Sequence, residues 1–482
     1  MSDVTNEEKS SDYKDFSVNS EENDGENKNV PENEKNTLIQ TIILIIKSII
    51  GIGIMDLPYV FKIVGIYYGI SLFIFSCIIT VLSVVFLIRV KDITQRYGYN
   101  VYAKFSLGKL GIVIIKSTII FGTFFDCIIF LKILSGITKI FVTLFLEKND
   151  SIFFKEYFYA IIIFLFLLPL MFKNDISALV RTSSIGVFNI FIFIISLIIV
   201  FLIKYFKEIN PSKKITFKKE MLYFNKDSNL NYIFYATQSL LLSFNFQTNF
   251  FPLYLSLKPR KSNNIIYATI VSLIITIIIY ILTSILGYLM YGNNINDIII
   301  IYFGQDINYY LNKNKVIVIF LVISEFTLFL SASLSMPIFF FSLKNNVLNL
   351  IKSIIKYNIN NNNNNKESIE LIDIKEEDLN KKILEKNVKK FDINKYKHFL
   401  TFLIYFSILI FTIFFNKILV IEGIVGATYN NILVIIAPSY FLIKLDKKNK
   451  FPFLKFIAKL IFVIGILVLI TFFYLQFKIY LF

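Results

Sequence analysis

The sequence predicts an all-α polytopic membrane protein with about eleven transmembrane helices, and three observations carry that expectation. Of its 482 residues 56% are hydrophobic and 17% charged, against roughly 45–50% and about 25% in soluble domains. The aromatic content is 53 Phe and 28 Tyr without a single Trp, more apolar surface than a soluble chain of this size can bury. From Thr37 onward, apolar runs long enough to cross about 30 Å of hydrocarbon follow one another, and the mean hydropathy is +0.65. A soluble cytosolic enzyme is excluded on these grounds. Few segments alternate with a period of two, which argues against a transmembrane barrel.

Taken in order, residues 1–36 are polar, acidic and rich in Asn, Ser and Glu. They cannot bury enough apolar area to fold, and they lack the basic-then-apolar layout of a cleaved signal peptide. They are expected to form a disordered acidic cytoplasmic tail. The apolar runs then fall at 38–64, 66–90, 110–145, 156–172, 183–206, 232–256, 264–290 and 316–343, giving spans 1–8 within a unit of residues 37–343. A hydrophilic insert at 344–397, with Asn360 to Asn365 at its centre, reads as a cytoplasmic linker. Spans 9–11 follow at 398–416, 418–444 and 455–477, within a unit of residues 398–482.

The net charge of +16 first suggests nucleic acid, but the distribution points elsewhere. Residues 1–35 hold 11 acidic and four basic residues, so the remainder carries about +23, mostly in short joints between apolar runs. That is a membrane-topology signal, and no nucleic-acid partner is expected. Arg89, Lys91, Arg96, Lys104, Lys109, Lys173, Arg181, Lys258, Arg260, Lys261, Lys444, Lys447, Lys448 and Lys450 all fall on one side of the membrane. An excess of Lys and Arg marks the cytoplasmic side, so the expected topology is N-terminus inside and C-terminus outside. The six lysines between Lys207 and Lys226 are the exception, in a longer loop expected outside. The opposing connection at 291–315 is nearly neutral. Asn149-Asp150-Ser151 is a glycosylation sequon on the expected outer loop after span 3. Cys77 and Cys127 lie inside apolar runs and make neither a disulfide framework nor a zinc spacing. His398, the single histidine, opens span 9 at the interface. No metal site and no cofactor is expected.

Two spans carry interruptions that apolar packing alone does not require. Span 1 contains Gly51-Ile52-Gly53 followed by Pro58. Closely spaced glycines let the backbone unwind, and the proline removes a helix donor. Span 6 contains the polar run from Ser243 to Asn249 (SFNFQTN) followed by Pro252. Such a run in hydrocarbon is costly unless it lines a cavity or binds something. The interruptions stand five spans apart, the spacing of a five-helix inverted repeat whose half-helix ends point at a substrate near the midplane. Packing glycines and interhelical polar contacts would give the same residues singly.

Five segments resemble the amino acid/auxin permease family, in particular its vesicular and proton-coupled amino acid transporters. They run from Lys47 to Phe61 (KSIIGIGIMDLPYVF), Leu168 to Gly186 (LPLMFKNDISALVRTSSIG), Asn245 to Lys258 (NFQTNFFPLYLSLK), Ile281 to Gly292 (ILTSILGYLMYG) and Ile424 to Pro438 (IVGATYNNILVIIAP). They occur in family order across about residues 38–477. The resemblance implies eleven spans, a LeuT-like core of spans 1–10 and alternating-access transport of an amino acid by a monomer. It also implies that Ile50, Gly51, Ile52 and Gly53 receive the substrate carboxylate through backbone N–H groups at a half-helix N-terminus. Phe244, Asn245, Phe246 and Gln247 would face the ammonium and side-chain end. Where many relatives carry a histidine in span 6, this chain has Gln247, which cannot titrate.

The ion-coupling expectations rest on Lys47, Asp126 and Ser335. Where the sodium-coupled branch has Asn, this chain has Lys47, as the proton-coupled branch tends to. Its ammonium would supply the charge that sodium supplies elsewhere, or it snorkels to the cytoplasmic interface. Ser335 aligns with the hydroxyl that completes the sodium site of sodium-coupled relatives. Asp126, mid-span in a segment where a carboxyl costs about 2.5–3.5 kcal/mol to insert, is either a proton carrier or half of a static pair with Lys47 or Lys132. Glu325 is a weaker candidate, and Glu422 is expected near the outer interface as a gate. The functional expectation is a secondary amino acid transporter, coupled to protons rather than sodium. An ion-independent facilitator or exchanger, and a nutrient sensor of the same fold, share these features. A channel would need a pore ring, and an enzyme would need a nucleophile and base. Plasma membrane and vacuolar or lysosome-like membranes are both compatible.

Overall fold

A computed structural model describes residues 36–143, 156–172, 183–208, 210, 214–225, 228–295, 298–367, 393–415 and 417–481. The acidic tail, the Asn149 sequon, Lys173, Arg181 and the charged second half of the insert lie outside these residues, apart from its two ends. Helices dominate. The one β-bridge among the described residues joins Asn36 to Leu257.

In chain order the helices are α1 (Leu38–Ile49), α2 (Leu57–Val64), α3 (Ile66–Thr94), α4 (Tyr99–Thr143), α5 (Glu156–Met171) and α6 (Ser183–Lys207). Then come α7 (Leu230–Leu242), α8 (Gln247–Ser256), α9 (Ser262–Tyr291), α10 (Ile299–Tyr310), α11 (Lys315–Glu367) and α12 (Ile393–Phe414). The last three are α13 (Ile418–Val425), α14 (Ala437–Leu445) and α15 (Pro452–Leu481), with a π-helical segment, Gly426–Ile436, between α13 and α14. Among the described residues eight helical stretches are long and apolar enough to cross a membrane, and two shorter apolar helices join them, Leu38–Ile49 and Tyr157–Met171. The protein is an integral, multi-pass, all-α membrane protein.

Local chemistry explains the element ends. Thr37 caps α1 through a capping box: its hydroxyl accepts from Gln40 N–H, and Gln40 Oε1 accepts from Thr37 N–H. Gly108, at φ +67°, kinks α4 where a side chain would be strained. Within the spans, hydroxyls donate one turn back, as Thr118 does to Ile114 and Thr283 to Ile279. That satisfies them without water. Outward-facing Phe166, Phe188 and Phe473 are each more than 60% exposed, an apolar surface that lipid rather than water accommodates.

Two spans are discontinuous, as the glycine and polar runs predicted. The first comprises α1, a 3₁₀ turn over Ile52–Met55, and α2; the second comprises α7 and α8. They run antiparallel. Asn36, at the start of the first, donates its N–H to Ser256 O and accepts from Lys258 N–H at the end of the second. The same end of the bundle holds Lys91, which donates to Ser262 Oγ, and Arg89, 5.0 Å from the Phe451 ring. The opposite end holds Lys62, which donates to Ile295 O, and Asn225, whose N–H donates to Ile63 O. The connection at 291–315 contains helix α10 rather than only loop, and α11 runs on into the expected insert as far as Glu367.

Candidate functional site

The two interruptions face each other at mid-bundle. At the first, Ile50 (ψ 86°) and Gly51 (φ −91°, ψ −144°) leave helical geometry, and Pro58 opens α2 near its N-terminus. At the second, Phe246 (φ −137°, ψ 12°) separates α7 from α8. The end of each half-helix leaves carbonyls without intrahelical partners. Tyr280 of α9 serves both ends: its hydroxyl lies 3.0 Å from Ile49 O and 3.0 Å from Ser243 O. Phe244 is clamped beneath by Phe73 and Tyr280, at ring distances of 5.5 and 5.2 Å.

Between the breaks lies a cavity of about 80 Å³. Its walls include Gly51 and Gly53 from the first break, Asn245 from the second, Asp126 from α4, Tyr429 from the π segment and Glu422 from α13. A methyl group added at Gly51 would meet nothing within 4 Å, and one at Gly53 would meet Ser243 Oγ at 3.7 Å. Both positions thus keep a free approach to the backbone. Ser48 and Asn249 join the two broken spans at the rim, with Asn249 Nδ2 donating to Ser48 Oγ at 3.5 Å.

Four of the eight residues expected to contact substrate stand behind this cavity. Ile50, Phe244 and Phe246 are core side chains, exposed by 1% or less. Gln247 turns away: its Nε2 donates to Ser83 Oγ of α3, and its Oε1 accepts from Phe246 N–H. These residues can offer backbone, not side chains. Ile52 contributes backbone to the 3₁₀ turn.

Lys47 turns to a neighbouring helix rather than to Asp126. Its ammonium donates to Ser331 Oγ of α11 at 2.8 Å, and its chain lies against Gly186 of α6, where a Cβ would stand 2.5 Å from Lys47 Cε. Ser335, one turn further along α11, donates back to Ser331 O. The lysine therefore bridges α1 and α11 beside the cavity, within one turn of the expected hydroxyl.

Three residues of the site were not singled out from sequence, or were placed elsewhere. Glu422 is not at an interface but 4% exposed and against the cavity. Asp56, 2% exposed at the start of α2, stands beside it. Ser239 of α7 lies between them, its Oγ 2.9 Å from Asp56 Oδ2 and 2.8 Å from Glu422 Oε2. The close approach comes from Gly423 and Gly426, which leave room for Tyr235 and for the Gln238 backbone of α7. An Asp two residues before a Pro, and a Glu near the start of an apolar run, are weak signals alone.

The fold and site define an α-helical membrane protein whose two antiparallel broken spans enclose a small polar cavity. Residues 34–479 match the family model described as transmembrane amino acid transporter protein, and the chain belongs to that family. It is similar to the amino acid transporter AVT6E of Arabidopsis thaliana, 26% identical over 269 residues, which cover 54% of this chain and 53% of that protein. It is also similar to AVT6D of the same plant, 27% identical over 269 residues, covering 54% and 59% respectively. The matched part thus spans only somewhat more than half the length of these relatives. Among solved structures, a mutant manganese transporter of Eremococcus coleocola aligns with 89% of this chain and 94% of its own, at 12% identity and a TM-score of 0.40.

Proposed function

We propose that the protein is a secondary active amino acid transporter that works by alternating access, crosses the membrane eleven times with its N-terminus in the cytoplasm, and acts as a monomer. The observation that carries this reading is the cavity shared by two antiparallel broken spans. A zwitterion needs donors for its carboxylate and acceptors for its ammonium at one place. Backbone N–H groups at Gly51, Ile52 and Gly53 suit the first role, and Asn245 with the carbonyls from Phe244 to Gln247 suits the second. Asp126 and Glu422 add carboxyls on the cavity wall that can exchange protons with it.

Protons rather than sodium drive the cycle in this reading. Sodium needs a cage of oxygens, whereas here the Lys47 ammonium holds the ground between α1 and Ser331. A fixed cation at about 4 Å repels sodium by several kcal/mol in a partly dry site. The test is uptake of a mixture of labelled amino acids by purified protein in liposomes, in sodium-free buffer and with or without an inward proton gradient. Uptake is expected without sodium and is expected to rise with the gradient. Strict sodium dependence of the unmodified protein overturns the ion assignment. Binding without flux under every condition overturns transport in favour of a sensor.

A further inference from the structure

Elsewhere in the bundle the buried Asp306 has a cation, Lys204, beside it, but at the junction of α2, α7 and α13 two carboxyls meet with no cation beside them among the described residues. Asp56 and Glu422 share Ser239 as a hydrogen-bond partner, at 2.9 and 2.8 Å. A serine hydroxyl has one hydrogen, so it can donate to only one of them. The second contact is a hydrogen bond only if the other carboxyl carries a proton and donates it to the serine oxygen. Asp56 and Glu422 also face each other within hydrogen-bonding reach. Asp56 Oδ1 is buried without a partner.

The surrounding groups add no positive charge. Asp126 of α4 faces Glu422, while Tyr280 of α9 faces both carboxyls and Cys77 of α3. Tyr429 of the π segment faces Asp126, and Tyr235 of α7 packs on Gly423. Two like charges this close in a dry site cannot both persist. Asp56 is the N-cap of α2, where the helix end favours negative charge. Glu422 has no helix N-terminus beside it, being five residues into α13.

We propose that Asp56 and Glu422 form a dyad that binds one transported proton, held on Glu422 and shared with Asp56 through Ser239. With the proton, the dyad ties α2, α7 and α13 together at the end of the cavity opposite Asn36. When the proton leaves, two negative charges repel and that end loosens. No bond other than O–H changes: the proton moves from Glu422 to the cavity, and the pair gains one negative charge. This inference deepens the proposed proton coupling and rests on it.

The test separates the dyad from that reading. Infrared difference spectra of the unmodified protein, between acid and alkaline pH, are expected to contain a carbonyl band from a protonated carboxyl that Glu422→Gln removes and Ser239→Ala shifts. In liposomes, Glu422→Gln and Asp56→Asn are expected to lower substrate-driven proton movement, read by an internal pH dye, by at least about tenfold. If the band survives Glu422→Gln, or if both variants move protons with substrate as the unmodified protein does, the dyad is wrong. If the unmodified protein moves no protons while Glu422→Gln removes the band, the coupling is wrong and the shared proton stands.

Discussion

Lys204 and Asp306 meet at one place in this bundle, and Asp56 and Glu422 at another; both pairs are buried, and they differ in what burial demands. Lys204, at the end of α6, is 1% exposed, and Asp306 of α10 is fully buried. Their Nζ–Oδ2 distance is 2.5 Å, Tyr291 donates to the same oxygen at 2.8 Å, and the ammonium lies 4.7 Å from the Tyr291 ring. Opposite charges, once brought together, satisfy each other. That site is a fastening, holding α10 against α6. At the acidic site two carboxyls share one serine hydroxyl with no cation beside them among the described residues, and in the proposed dyad a proton takes the place of the cation. Lys47 stands between these cases, an ammonium satisfied by a neutral hydroxyl.

The same substitution at the two lysines gives the contrast its largest effect. Lys204→Met leaves Asp306 buried without its cation, and removal of one partner of a buried pair costs about 3–5 kcal/mol. Thermal unfolding in detergent is expected to show a large loss of stability, and Lys204→Met with Asp306→Leu together is expected to recover most of it. An unchanged melting temperature in the single variant would mean that the pair fastens nothing. Lys47→Met should be milder. Removing a buried ammonium that lacks a carboxylate takes away a desolvation cost along with one hydrogen bond, worth about 1.5–3 kcal/mol when the donor is charged. Stability is expected to move by about 1 kcal/mol or less, since the two terms oppose. Gradient-driven uptake is the property expected to fall.

How much of this was legible in the sequence follows the same physical division. The breaks were legible because Gly51, Gly53 and Pro58 contradict helix chemistry, and so do Asn245, Gln247 and Asn249 in an apolar run. Asp126 was legible as a charge in mid-span, and Lys47 as a charge with no loop nearby. Asp56 was passed over beside the glycines and the proline of the first break, and Glu422 was singled out but placed at the outer interface, because it lies near the start of an apolar run, where carboxyls ordinarily meet water. What buries them is tertiary: the glycines at 423 and 426 pull α13 onto α7. Asp306 was hidden in a segment read as a connection, since α10 is only 12 residues and half polar. Tyr280 was indistinguishable from 27 other tyrosines until the two carbonyls it serves came together. Side-chain direction at the second break was equally out of reach, so Phe246 and Gln247 were assigned to the cavity although they pack behind it.

The smallest expected effect tests whether the position of the Lys47 ammonium, rather than its mere presence, matters. Gly186 of α6 is the wall against which the lysine lies, and a Cβ there would stand 2.5 Å from Lys47 Cε and 2.8 Å from Nζ. Those atoms are the flexible end of a side chain, so Gly186→Ala can be accommodated by rotating the lysine instead of moving a helix. In a helix interior alanine also gains about 1 kcal/mol over glycine, which offsets part of the displacement. Stability is therefore expected to stay within about 1 kcal/mol of the unmodified protein. The ammonium, however, can no longer keep 2.8 Å from Ser331 Oγ, and the ground between α1 and α11 is left partly unguarded. Uptake in sodium-free buffer is expected to fall by about threefold to tenfold, with part of the loss restored by adding sodium. If uptake at every sodium concentration equals that of the unmodified protein, the lysine's position does not set the ion preference, and its contact with Ser331 is packing alone.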